Sequence, residues 1–235
     1  MSSTIASPAV KPVARDVPRI HAAGSGAILF APVDGVFDSD IQQRLQTLAA
    51  RIADHVAGDT SSELVLGVNN LLFIFNPLAC HPDDAAELMM QLWDTTESVP
   101  RAGREIEIAV TYGGAAGEDL VALATNLSLD VDEYVRRHSS AVYTVACIGS
   151  MPGFAYMTGL PGELTVPRRK VPRMKVEEGT VIIGGTQAGV MPCTAPSGWH
   201  LLGKTEAKMF DPYRKKPCSL SPGDEVKFVV KGIEA

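Results

Sequence analysis

Apolar residues recur at steps of three and four between positions 41 and 56, at Ile41, Leu45, Leu48, Ile52 and Val56. That spacing lines one face of a helix. Asp38 and Ser39 stand where its N-cap belongs, and Gly58-Asp59 ends it. The run before it, 27–31, is short and apolar and reads as a strand. ELVLGV (63–68) and LLFIF (71–75) are β-rich runs separated by Asn69-Asn70. Asn tolerates the positive φ of a tight turn, so the two runs predict a hairpin. A helix is expected over 82–96, with Pro82 in its first turn and Ala85, Leu88, Met89 and Leu92 on one face. Strand, helix, hairpin and helix together predict an α+β unit in which helices cover one side of an antiparallel sheet.

The pattern changes after the polar segment 101–104, which reads as a linker. EIEIAVTY (105–112) alternates apolar and charged residues, as a half-buried strand does. Helices are expected near 117–126 and 130–138, the second capped by Asp130 with Glu133 as its capping-box partner. AVYTVACI (141–148) is a strongly apolar strand. From 149 onward Gly and Pro interrupt the chain every few residues, and short β-type runs lie between them at 180–185, 199–203 and 225–230. Such texture predicts a closed or nearly closed β-barrel. The expected division is a disordered tail (1–19), an α+β domain (20–100) and a mainly-β barrel domain (101–235).

Composition narrows the function. A formal net charge of −6 supplies no field for nucleic acid. The four cysteines show no CxxC spacing and the five histidines no HxH or HExxH spacing, so no metal set is evident. Free thiols in a chain of this size fit a reducing cytosol. The N-terminal residues lack a signal-peptide core, and no apolar stretch of about 20 residues is present to span a membrane. The expected location is cytoplasmic.

Four segments carry candidate chemistry. GWHLLGKT (198–205) spells the P-loop expression, but its bulky apolar interior looks like a strand packed in the barrel. PRRKVPRMK (167–175) has five basic residues in nine, held extended by Pro167 and Pro172. Arg168 and Arg173 could fork an anion; the plainer reading is a solvated basic loop. GSMPGFAYMTG (149–159) sets Phe154 and Tyr156 among Gly and Pro, either as a pocket wall or as a barrel corner. His138 either moves a proton or caps the last carbonyls of its helix. Glu118 and Asp119 read as dipole partners at a helix start.

IAVTYGG (108–114) with Asp119-Leu120, His138-Ser139-Ser140 with Tyr143, PGFAY (152–156), PRRKVPR (167–173), GTVIIGGTQAGVMP (179–192), APSGWHLLGKT (195–205), Phe210-Asp211-Pro212 and PGDEVKF (222–228) together resemble one family. It is the allophanate hydrolase subunit 1 family, which includes the B subunits of 5-oxoprolinase and an inhibitor of a sporulation histidine kinase. It is also similar to part of the carboxyltransferase region of urea carboxylases. The resemblance implies a ferredoxin-like N-terminal domain and a cyclophilin-like barrel. It further implies a companion of related barrel fold, of the type of allophanate hydrolase subunit 2 or the 5-oxoprolinase C subunit, with the active site near their junction. The activity implied is the ATP-dependent opening of a small lactam or amide such as 5-oxoproline, with ATP used by the complex. A kinase-inhibitor role and a carboxyltransferase component are the alternatives. The matching motif positions are His138, Pro152, Gly153, Phe154, Tyr156, Arg168, Arg173, Gln187 and Trp199. In this reading Arg168 and Arg173 hold a carboxylate, Gly153, Phe154 and Tyr156 shape the pocket, and His138 or Gln187 bonds the amide. Ser150, Ala155, Met191, Ser197, His200 and Ala188 depart from the family's usual residues, which predicts a roomier pocket and an altered substrate.

Overall fold

The computed structural model describes residues 18–33, 35, 37–99 and 103–234. Most of the expected tail and residues 101 and 102 of the expected linker lie outside the described residues. Arg19, placed in the tail by the sequence, opens a strand instead, β1 (Arg19–Ala22).

The first half of the chain builds an open four-stranded sheet. Strand β1 is followed by β2 (Ala27–Ala31), α1 (Ser39–His55), β3 (Glu63–Leu66), β4 (Leu71–Ile74) and α2 (Pro82–Asp94). The order across the sheet is β1-β2-β4-β3, antiparallel throughout. Asn69 takes φ 57° in the β3–β4 turn, the conformation for which Asn is suited. Asp38 caps α1 by accepting the N–H groups of Asp40 at 2.9 Å and Ile41 at 3.0 Å. The helical stripe Leu45, Leu48 and Ile52 meets Ile28 and Phe30 of β2, Leu71 and Phe73 of β4, and Met89 and Trp93 of α2 in one core. Full burial of side chains of this size contributes about 1.5–3 kcal/mol each.

The second half closes a barrel. Strand β5 (Glu105–Gly113) is followed by a 3-10 turn (Gly114–Gly117), α3 (Leu120–Asn126), α4 (Val131–Ser140), β6 (Val142–Ile148), β7 (Ala155–Thr158), β8 (Arg173–Val176), β9 (Thr180–Gly184), β10 (Gln187–Val190), β11 (Ala195–Ser197), β12 (His200–Lys204) and β13 (Glu225–Glu234). Seven of these strands form the closed order β10-β7-β6-β13-β5-β12-β9. Strand β13 lies antiparallel to β6 but parallel to β5 along its whole length. The barrel encloses a second, separate core from Ile108, Val110 and Tyr112 to Val226 and Phe228. Strands β8 and β11 pair with each other as a two-stranded ribbon outside the barrel.

Asp130 caps α4 as expected, accepting the Glu133 N–H at 2.7 Å. The Glu133 side chain does not complete the capping box; it pairs with Arg136 and Arg137 on the same helix face. The segment 198–205 is strand β12 with its flanks, and no helix follows it before β13 among the described residues, so the P-loop spelling has no P-loop geometry.

One buried side chain links the two cores. Gln42 of α1 donates from Nε2 to the carbonyls of Gly67 and of Ala146 in β6, both at 2.9 Å. Its Oε1 accepts the Asn69 N–H at 2.8 Å. Gln42 is 3% exposed, so these bonds satisfy an amide that is otherwise costly to bury.

Candidate functional site

Alternation along β5 sends Ile108, Val110 and Tyr112 into the barrel and leaves Ala109, Thr111 and Gly113 outside. These small outer residues, with Ala115 and Ala116 of the 3-10 turn, floor an open groove of about 780 Å³. One wall is the β8 ribbon and the turn after it, Arg173 to Glu177. The other comes from Lys204–Ala207 and from Lys231 and Glu234 of β13.

The groove is lined by four basic and five acidic side chains. Every base is paired. Arg173 Nε lies 2.5 Å from Glu118, Lys204 lies 3.2 Å and Lys175 3.8 Å from Glu177, and Lys231 lies 3.3 Å from Glu206. Glu107 and Glu234 have no ion-pair partner among the described residues. Arg173, expected to hold a ligand carboxylate, is thus already paired with the chain's own acids, as are the three lysines of the groove.

The deepest of these pairs centres on Asp119. Its carboxylate accepts Nη1 of Arg173 at 2.9 Å and Nη2 at 2.8 Å, a two-pronged bond. It also accepts Nη1 of Arg169 at 3.2 Å and the Leu201 N–H at 2.8 Å, with His200 Nδ1 4.0 Å away. Desolvation raises the Asp119 pKa. The Arg173 and Leu201 hydrogen bonds and the charges of Arg173 and His200 outweigh it and hold the carboxyl below its ordinary value. Asp119 stands at the N-cap position of α3, where the sequence reading put it, but its side chain makes no cap bond there and is engaged in tertiary contacts. It fastens the base of the ribbon to β12.

Above Leu201 lies a third, smaller core. Phe154, Ile182, Met191, Trp199 and Leu201 pack there with Val176 of the ribbon, and Tyr156 borders them. Phe154 and Tyr156 meet edge to face at 4.8 Å between centroids, and Phe154 and Trp199 at 5.7 Å. Glycine makes this packing fit. A Cβ at Gly184 would sit 2.7 Å from the Trp199 indole, and one at Gly189 would sit 2.8 Å from the Phe154 ring. Gly153 has φ +82° and lies so close to Met209 and Phe210 that a Cβ would fall 2.7 Å from the Phe210 side chain.

Of the residues expected at the site, the structure brings Phe154, Tyr156 and Trp199 together and places Arg173 on the groove wall. Gly153 adjoins them in sequence and packs against Met209 and Phe210. Arg168 is exposed and does not line the groove. Gln187 is half-buried at the start of β10, paired with Gly184 across the turn, and does not line the groove either. His138 is fully buried in the barrel core. Its Nδ1 lies 2.9 Å from the Tyr112 hydroxyl, its own carbonyl accepts the Tyr143 hydroxyl at 2.9 Å, and its ring packs 5.0 Å from Phe228. Burial lowers its pKa to about 3, so it is neutral at ordinary pH. Neither the proton-transfer reading nor the helix-capping reading describes it: the side chain fills the core and cannot reach a ligand in the groove.

The Carboxyltransferase domain, subdomain C and D, family matches residues 18–220. The chain belongs to that family. The match spans both halves of this carboxyltransferase-domain chain and every residue of the Asp119 cluster. Its relatives include the 5-oxoprolinase B subunit of Escherichia coli O157:H7, 41% identical over 188 residues, covering 80% of this chain and 85% of that one. The protein of the same name in Haemophilus influenzae is 41% identical over 172 residues, covering 73% and 80%. Among solved structures, TTHA0988 superposes with a TM-score of 0.75 at 27% identity over 87% of this chain, which is 39% of its own length. The Kluyveromyces lactis urea amidolyase shares the fold with a TM-score of 0.77 at 17% identity, over 92% of this chain and 15% of that one. In both of those proteins the fold occupies a minor part of a longer chain.

Among the described residues no group of three or more His, Cys, Asp or Glu side chains is arranged to hold a metal ion. No helix of the described residues is long and apolar enough to cross a membrane. All four cysteines are free thiols, and burial pushes Cys147 up to about 11, away from thiolate chemistry.

Proposed function

We propose that this chain is the B-type component of a 5-oxoprolinase-like hydrolase, working with a companion subunit to open a small lactam or amide at the expense of ATP. The reading is carried by the 41% identity to a 5-oxoprolinase B subunit over most of both chains. The groove beside the β8 ribbon supports it. Its small-residue floor and open mouth suit a flat, compact ligand, and its volume of about 780 Å³ exceeds what one 5-oxoproline needs. A ligand carboxylate finds the groove's own cations occupied. The anchoring charge is accordingly assigned to the companion subunit, and Arg173, held rigid by Asp119, shapes the wall. Arg168, Gln187 and the Phe154–Tyr156 pair stand outside the groove in this reading. We assign no step to ATP, because the segment that spells a P-loop is a strand in this chain.

The same reading divides the chain near residue 101 into a ferredoxin-like unit and a cyclophilin-like barrel. In the first unit β1 takes the outer sheet position that a strand after α2 fills in the ferredoxin order. The test is to co-express the chain with a 5-oxoprolinase C-type companion subunit and follow glutamate formation from 5-oxoproline. Turnover that needs ATP and both chains is expected. Turnover by the companion alone at the same rate, or none from the pair with any small lactam, overturns the assignment.

A further inference from the structure

The basic ribbon has a second side, turned away from the groove. Arg173 and Lys175 of β8 line the groove, so alternation along the strand directs Met174 to the opposite face. Met174 is 80% exposed there, and Val171, just before the strand, is 75% exposed. On the same short segment Arg168 and Lys170 are exposed and have no ion-pair partner among the described residues. A run of charge is ordinarily a solvated loop. This one is built differently, because its backbone is fixed at several points. Arg169 N–H donates to the Gly198 carbonyl at 2.8 Å, and His200 Nε2 lies 3.0 Å from the Pro167 carbonyl. Arg169 and Arg173 both bind Asp119, and β8 pairs with β11. Pro167 and Pro172 hold the chain extended between these points. The result is a rigid projection. Two of its five cations secure its own foundation, Lys175 faces the groove, and Arg168 and Lys170 are presented outside with two bare apolar side chains.

We propose that the exposed residues of this segment that do not line the groove, Arg168, Lys170, Val171 and Met174, form the docking surface for an acidic face of the companion subunit. The proposal rests on the subunit reading above and locates its contact. Three observations favour it. The chain carries a net charge of −6, so a pair of uncompensated cations is a local reversal of sign that selects an acidic partner. Exposed Met beside Arg matches the composition of interface centres, where both are enriched, and a preformed backbone lowers the entropic cost of binding. The ribbon is also the groove wall: Arg173, Lys175, Val176 and Glu177 line the cavity. A partner seated on the far face of that wall is separated from the groove only by the ribbon itself, so docking there bears directly on the shape of the groove.

The experiment measures the Kd of the full-length chain for its purified companion subunit by calorimetry, at low and moderate NaCl, alongside 5-oxoproline turnover by the mixture. Two double variants are compared with wild type: Arg168→Glu with Lys170→Glu, and Val171→Ser with Met174→Ser. All four positions are exposed, and unchanged melting temperatures establish that the variants are folded. The charge reversal is expected to weaken binding by about tenfold or more and to flatten its salt dependence, and the apolar pair to weaken it without altering that dependence. If wild type binds and turns over substrate while both variants bind equally well, the docking surface is overturned and the subunit reading stands. If wild type fails to bind the companion at all, both fall together.

Discussion

Lowering the pH from 7.5 to 5.0 should remove about 2 kcal/mol of stability through His138 alone. The histidine is 0% exposed and its pKa in the folded chain is lowered by burial to about 3, against 6.5 for an unperturbed imidazole. Below 6.5 the unfolded chain gains a proton that the folded chain refuses, so acid favours unfolding. At pH 5.0 the ratio of protonation factors is about 30, or about 2 kcal/mol at 1.36 kcal/mol per pH unit. The loss continues to grow until pH approaches 3, where the folded chain takes the proton too. Urea titrations of wild type and a His138→Gln variant at both pH values give the assay, with stability taken from the midpoint and slope. The variant starts less stable, because the Tyr112 hydroxyl is left in a pocket shaped for imidazole, but it lacks this pH term. Carboxylates elsewhere titrate equally in both proteins and cancel in the difference. The expected result is a wild-type decrease between pH 7.5 and 5.0 larger than the variant's by about 2 kcal/mol. Equal decreases would refute the account and show that His138 accepts a proton in the folded state.

Asp119→Asn leaves Arg173 and Arg169 without their shared carboxylate in a site where Arg173 is 18% exposed, and should cost about 3 kcal/mol in a urea midpoint measurement; a cost below about 0.5 kcal/mol contradicts the fastening role. In wild type this bridge persists at pH 4.5 and weakens only as pH falls through the depressed folded value of Asp119, since a lowered carboxyl pKa contributes stability above its unfolded value and loses it in acid. Gly184→Ala drives a methyl group against the Trp199 indole and should destabilise by about 1–3 kcal/mol with a changed near-ultraviolet tryptophan signal, whereas an unaltered signal would mean the ring is free to move aside. Gln42→Leu strands the Gly67 and Ala146 carbonyls and the Asn69 N–H; a loss of about 1–3 kcal/mol is expected, and calorimetry should show the melting of the two cores drawing apart.

The first half of the fold was legible because its signals are local and periodic. The helical stripe of α1, the Asp38 cap and the left-handed Asn69 all occur where spacing put them. In the second half the long strands β5, β6 and β13 declared themselves through alternation or a strong apolar run. Strands β7, β8, β10 and β11 did not. They are three or four residues long, most carry Gly, Pro or Lys, and they are held by partners outside their own segments. Strand β8 falls inside the segment read as a basic loop, because nothing local distinguishes a ribbon strand from extended coil. The same limit applies to the site. Arg173 was picked out for its charge, but its partner Asp119 lies 54 residues earlier, and no local pattern records such a contact. In the sequence Asp119 shows only as an acid at a helix start and as part of a family motif, and neither points to Arg173. The burial of His138 is hidden for a related reason: a helix-end histidine beside two arginines looks wet in sequence, and only its packing against Tyr112, Tyr143 and Phe228 of the barrel makes it dry.

Strand β13, the last barrel strand in the chain, inserts between β6 and the first barrel strand, β5, and its pairing with β5 is parallel where the rest of the ring is antiparallel. During synthesis the ring therefore stays open until nearly the whole second half has left the ribosome, with an apolar strand edge waiting for its mate. A chain cut short before residue 225 would keep its first core and most of its ribbon yet never shut the cylinder. Its fate would be decided by whatever else offers a strand to that gap.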